Sequence, residues 1–119
     1  MRRAITNPEL LETIRYLKVK ARENEAKIWE VAAKHLSHSK RTRSVLDLNH
    51  LARATSADSL ILVPGKVLGS GSISHSVVVG AFDFSGSART KIERAGGKCL
   101  GIKEFVNRYP HGSNVRIMR

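Results

Sequence analysis

Apolar residues in the first half of the chain recur at helical spacing. Asn7 can cap a helix whose first helical residue is Pro8, and an apolar stripe follows from Leu10 to Ala21. A second helix is predicted over residues 26–36 and a third over about residues 44–54. The pattern therefore predicts a helical N-terminal half.

Short continuous apolar runs replace the helical spacing after residue 57. Residues 60–63 predict a buried strand that ends at Pro64-Gly65, and residues 77–82 predict the strongest strand. The Gly- and Ser-rich residues 65–76 between them read as a loop or an irregular hairpin.

The rest of the chain alternates between helix and strand signals. Ser85 can cap a helix that ends at Gly96-Gly97, and a short strand is expected around Cys99. A further helix stops at Pro110, and a last strand covers residues 115–118. We expect an α/β (α+β) fold and a single domain over residues 1–119, with a helical part at 1–56 and an α/β part at 57–119.

Charge is the strongest compositional signal. The 119 residues contain 21 Lys and Arg against 10 Asp and Glu, a net charge of +11. The excess is spread over the chain, since residues 1–54 hold 12 cations and 6 acids and residues 55–119 hold 9 and 4. A compact body with this excess repels itself unless a polyanion is near, and phosphate backbones are the usual partner.

The sequence gives little support to secretion or membrane insertion. Cys99 is the only cysteine, so no internal disulfide can form. No apolar run approaches the roughly 20 residues of a membrane span, and Arg2-Arg3 lacks a following apolar signal region. We expect a cytoplasmic protein without a membrane partner.

Candidate enzyme motifs are incomplete. Gly65-Lys66 has Leu60 and Val67 where a phosphate-binding loop needs Gly and Ser or Thr, and Gly69-Ser70-Gly71 lacks the third glycine of a dinucleotide fingerprint. The Ser-Lys spacing of residues 37–40 lacks its partner motifs. We therefore expect no enzyme, no cofactor and no small-molecule substrate.

The histidines do not form a metal motif. His35 and His38 could share a helix face, but a structural zinc needs four ligands. Cys99 and the other histidines are scattered along the chain, so no metal is predicted.

Two segments are candidates for binding nucleic acid. Residues 34–44 carry four basic residues between two helices, among them Lys40, Arg41 and Arg43, although a solvated turn is the alternative. Residues 63–71 place Lys66 in a glycine-rich stretch whose backbone could approach a phosphate, with an ordinary hairpin loop as the alternative. Weaker candidates for RNA contact are Arg2, Arg3, Lys91, Arg116 and Arg119.

The kind of nucleic acid is less sharply specified. Aromatic content is 5%, and no aromatic pair on a strand offers a base-stacking platform. We therefore expect phosphate, ribose and shape contacts on a folded RNA. Charge alone does not separate RNA from DNA, so a helix-turn-helix DNA-binding regulator is the alternative.

Several motifs in order resemble the large-subunit ribosomal protein family numbered eighteen-e in archaea and eukaryotes. They extend from about Asn7 to Arg119 and comprise residues 29–36, 40–43, 45–51, 63–71, 83–88, 91–92, 96–97 and 112–116. The family is related to the bacterial large-subunit protein numbered fifteen, and the resemblance implies an irregular strand-strand-helix winding in the C-terminal part.

The resemblance also implies a function. Members of the family are structural constituents of the large ribosomal subunit, so the expected partners are large-subunit ribosomal RNA and neighbouring ribosomal proteins, in the cytoplasm. The chain lacks the extensions typical of eukaryotic relatives, from which we expect an archaeal source. His35, His38 and His50 fall within the signature region and depart from a purely basic surface there.

Overall fold

The computed structural model describes residues 8–37 and 44–119, which form five helices and five strands. In chain order these are α1 (Pro8–Glu23), α2 (Lys27–Leu36), β1 (Ser44–Asp47), α3 (Leu48–Ala54), β2 (Ser59–Leu68), β3 (Val77–Phe84), α4 (Gly86–Arg94), β4 (Lys98–Gly101), α5 (Ile102–Arg108) and β5 (Val115–Ile117). In these residues, no helix is both long and apolar enough to cross a membrane.

All described strand pairs in the sheet are parallel. The order is β1-β2-β3-β4, and β5 also pairs with β2. The ten-residue β2 accommodates two short neighbours in succession, because β5 pairs with Leu60–Leu62 and β1 pairs with Gly65–Leu68. Strand β2 is therefore the axis of the sheet.

Helices cover both faces of the sheet, as expected for parallel strands. One buried cluster joins α1, α2 and α5 to the sheet around Trp29, Leu62 and Phe105. The other joins α3 and α4 to the opposite face and includes Leu51 and Ile92. The α/β class predicted from the sequence is confirmed.

The helix caps follow the sequence signals. The side chain of Ser85 accepts a hydrogen bond from the Ala88 N–H at 3.1 Å, so the predicted cap of α4 is confirmed. The predicted stop of this helix is also confirmed, because Gly96 has φ +87° and its N–H donates to the Glu93 carbonyl.

Three local predictions were wrong. Residues 44–47 form β1 rather than the start of a helix, because they pair with β2 and Asp47 caps α3 through the His50 N–H. Strand β2 does not end at Pro64 but continues to Leu68. Residues 65–76 do not form a hairpin, since β2 and β3 are parallel and residues 69–76 cross from one to the other.

Pro64 is tolerated within β2 because of the strand's two neighbours. The β5 pairing ends at Leu62, and the β1 pairing begins at Gly65. On the other side, the register with β3 shifts between Val63 and Lys66. The missing proline N–H therefore coincides with a gap and an irregularity in the hydrogen-bond ladder.

Candidate nucleic-acid interface

The described residues contain four of the nine predicted RNA-contact cations. Lys66, Lys91, Arg116 and Arg119 fall within them. The other five, namely Arg2, Arg3, Lys40, Arg41 and Arg43, lie outside the described residues.

Lys66 lies on the central strand, between Val45 of β1 and Asp83 of β3 in the sheet register. Its Nζ is 3.8 Å from Asp83 Oδ2, and both side chains are about half exposed. An exposed ion pair at this distance contributes about 0–1 kcal/mol. The lysine can therefore exchange the carboxylate for a phosphate at little energetic cost.

Two distant parts of the chain meet beside Pro64. The Met118 N–H donates to the Leu62 carbonyl at 3.0 Å, which brings the terminal Arg119 to this edge of β2. Ser44, where the described chain resumes, lies opposite Gly65. The fold thus places Lys66, Arg119 and the entry to β1 in one neighbourhood.

The glycine-rich crossing segment packs against the protein itself. A Cβ on Gly69 would lie 1.9 Å from Ser87 Oγ, and Gly71 has φ +91° with the Asn49 side chain against it. The Ser70 carbonyl accepts hydrogen bonds from the Leu48 and Asn49 N–H groups at 3.0 and 3.2 Å. The close approach that the glycines permit in this structure is to α3 and α4.

Lys91 holds this segment in place from α4. Its Nζ donates to the Gly69 and Gly71 carbonyls, both at 2.8 Å. An ammonium has three N–H donors, so one is left for a further acceptor. Lys91 therefore has a structural contact that the sequence did not predict.

Arg116 also has a structural contact. Its Nη1 donates to the Ala54 carbonyl at 2.7 Å, which links β5 to the C-terminal end of α3. Cations at a helix C-terminus interact favourably with the helix dipole. Of the predicted cations, Lys91 and Arg116 thus contribute to the packing of the chain.

Sequence reasoning missed a groove between residues 71–74 and α4. The groove has a volume of about 370 Å³. Its lining comprises Gly71, Ser72, Ile73, Ser74, Lys91, Arg94 and Ala95. The spacing of Lys91 and Arg94, three apart on a predicted helix, was the available signal, since such residues lie on one face. The contact between a loop and this face could not be inferred from spacing.

The positive charge is uneven over the described residues. Residues 8–37, which form the α1–α2 pair, carry six cations and five acids. Residues 44–119 carry ten cations and five acids. A polyanion is therefore attracted more strongly to the sheet and α4 than to the α1–α2 pair.

Groups that could support catalysis or metal binding are sparse in the described part of the chain. There, no cluster of three or more His, Cys, Asp or Glu side chains could hold a metal ion. Burial raises the pKa of the Cys99 thiol from 9.0 to about 11, so little reactive thiolate is present near neutral pH.

The fold and the excess of cations define the class of the molecule as a small, basic α/β protein with a parallel sheet and a candidate site that faces polyanions. Residues 24–100 match a family model that is described as covering the ribosomal proteins 50S-L15 and 50S-L18e and their counterpart in the 60S subunit. The chain belongs to this family of ribosomal proteins.

Similar proteins named large ribosomal subunit protein eL18 occur in several archaea. The relative from Methanothermobacter thermautotrophicus is 42% identical over 95% of this chain and 93% of its own length. The relative from Halobacterium salinarum is 41% identical over 96% and 97%, and that from Methanoregula boonei 44% over 96% and 94%. The family resemblance stated from the sequence is confirmed.

Proposed function

We propose that this chain is a structural constituent of the large ribosomal subunit that binds and stabilises folded large-subunit ribosomal RNA. We further propose that it acts in the cytoplasm as one domain spanning residues 1–119, without an enzymatic activity. The observation that carries the proposal is the family membership over nearly the whole chain. The net charge of +11 adds physical support, because a free protein with this excess gains from phosphate contacts.

The RNA contacts are proposed at the Lys66 end of the sheet. Lys40, Arg41 and Arg43 precede β1, and Lys66 and Arg119 are near the point where that strand begins. Arg2, Arg3, Lys91 and Arg116 are proposed as secondary contacts. Neighbouring large-subunit proteins are the other expected partners.

Sedimentation of cell extract tests the assignment to the ribosome. We expect the protein to travel with the large subunit at low salt and to dissociate as salt rises, because phosphate contacts are salt-sensitive. A protein that remains at the top of the gradient at low salt would contradict the proposal. Preference for duplex DNA over large-subunit RNA would instead favour the DNA-binding alternative, which the family finding does not support.

The residues before β1 can be tested by a triple substitution. Replacing Lys40, Arg41 and Arg43 together with Ala should lower the slope of log affinity against log salt by about two, at roughly 0.7 to 0.9 per phosphate contact. The measurement is binding to large-subunit RNA over a series of salt concentrations.

The matched control removes three cations from the nearly neutral α1–α2 pair. Substitution of Arg15, Lys18 and Arg22 by Ala changes the net charge equally, and we expect a much smaller change in slope. Equal changes for both triple variants would mean that total charge, rather than local contact, sets the affinity.

A further inference from the structure

We propose that the groove between residues 71–74 and α4 binds the ribose-phosphate backbone of a folded RNA. This inference rests on the proposed RNA-binding function and adds a site to it. Arg94, Ser72 and Ser74 were not among the contacts predicted from the sequence. They line the groove together with Lys91.

Charge distinguishes this groove from the other one in the described chain. Its lining contains Lys91 and Arg94 and no acid. The groove between α1 and α2, of about 590 Å³, is lined by three cations but also by Glu25 and Glu30. Carboxylates repel phosphates, so a polyanion favours the first groove although it is smaller.

Lys91 is already held in place within the groove. Its ammonium is fixed by the Gly69 and Gly71 carbonyls at 2.8 Å each. Binding therefore does not have to immobilise this side chain, a cost of about 0.5–1.5 kcal/mol for a flexible residue. The same bonds offset the negative ends of two carbonyl dipoles that would otherwise oppose a phosphate.

The walls of the groove carry groups suited to ribose and phosphate. Ile73 is buried and anchors the loop in the core beneath α4, while Ser72 and Ser74 lie on either side of it. Hydroxyl groups can bond phosphate oxygens and ribose hydroxyls. Arg94 lies at the rim and offers a planar fork for bidentate phosphate binding. The groove thus supplies fixed charge, a guanidinium and neutral hydrogen-bonding groups together.

A pair of single substitutions tests the groove by affinity. Arg94→Ala should weaken binding to transcribed large-subunit ribosomal RNA by about three- to tenfold at physiological salt and lower the salt slope by roughly 0.7 to 0.9. Arg22→Ala, which removes the same charge from the acid-containing groove, should have little effect on either. Equal losses for the two variants would overturn the inference.

Directed hydroxyl-radical cleavage tests the location. An iron chelate is attached at position 72 of a Ser72→Cys, Cys99→Ala protein, and the control carries it at position 31 through Val31→Cys on α2 in the same Cys99→Ala background. Strong cuts in the RNA from position 72 and weak cuts from position 31 support the groove. Cross-linking of position 72 to a protein without RNA cleavage, in assembled subunits, would assign the groove to a protein partner and overturn the inference.

The two proposals fail in different ways. If the unsubstituted protein does not bind large-subunit RNA at all, the proposed function fails. If it binds but position 72 produces no cuts, only the groove is excluded.

Discussion

At the scale of single residues, Gly80 shows how closely this sheet packs against its helices. A Cβ at this position would lie 2.5 Å from Phe105 Cγ, in the middle of a fully buried ring contact. Phe105 is held in turn by Trp29, whose ring lies edge-on at 6.3 Å. The ring therefore has little room to move aside.

Gly80→Ala should consequently destabilise the protein. We expect a loss of about 1–3 kcal/mol in the free energy of unfolding, the usual cost of overpacking a core. Urea unfolding followed by tryptophan fluorescence measures it. Gly86→Ala is the matched control, because the space around its Cβ is open and α4 tolerates alanine. Equal stability of the two variants would refute the packing account.

Cys99 provides a residue-scale prediction about pH. Burial raises the pKa of its thiol from 9.0 to about 11. Near pH 8 the thiolate fraction should then be about a hundredfold lower than in the unfolded chain, with reactivity rising until about pH 11. Alkylation rates of native and urea-unfolded protein as a function of pH measure this difference. Equal rates at pH 8 would contradict it.

At the scale of elements, Lys91 links three parts of the second half of the chain. From α4 it fixes the carbonyls of Gly69 and Gly71, and the Ser70 carbonyl between them accepts hydrogen bonds from the start of α3. One side chain thereby positions the crossing segment relative to two helices.

Lys91→Met should loosen this arrangement without unfolding the protein. We expect local opening to be favoured by about 1–2 kcal/mol, because two hydrogen bonds to a charged group are lost at a partly exposed site. Hydrogen exchange at the Leu48 and Asn49 amides should accelerate by roughly tenfold. Arg94→Met on the same helix is the control, and similar exchange rates in both variants would argue against the linking role.

Elements with a local chemical signal could be predicted from the sequence, whereas those defined by distant pairing could not. The Ser85 cap and the Gly96 stop of α4 depend on neighbouring residues and were found. Strand β1 and the passage of β2 through Pro64 depend on register with remote strands, so local propensity was misleading. For the same reason the contact between residues 71–74 and α4, which creates the candidate groove, was missed.

At the scale of the whole molecule, repulsion between like charges opposes the folded state. The net charge is +11, and among the described residues the three ion pairs are all solvent-exposed. Little favourable pairing would be lost on adding salt, while repulsion would be screened over about 10 Å at 0.1 M.

Salt should therefore affect stability and RNA affinity in opposite directions. Between low salt and about 0.3 M sodium chloride we expect the free protein to gain about 1 kcal/mol, roughly 4 °C in Tm. Affinity for large-subunit RNA should fall over the same range. Thermal melts and binding curves in the same buffers check both trends. A melting temperature that falls with salt would show that attractive pairs dominate.

The position of Trp29, the only tryptophan in the chain, makes the molecule report on its own assembly. The indole is fully buried, and its Nε1 donates to the Pro110 carbonyl at 2.8 Å, so it joins α2 to the segment after α5. Its emission should shift to the red if these two parts of the chain separate, even while the rest of the sheet stays paired. Intrinsic fluorescence can thus follow, without any attached dye, whether the protein keeps this seam closed as it enters a ribonucleoprotein particle.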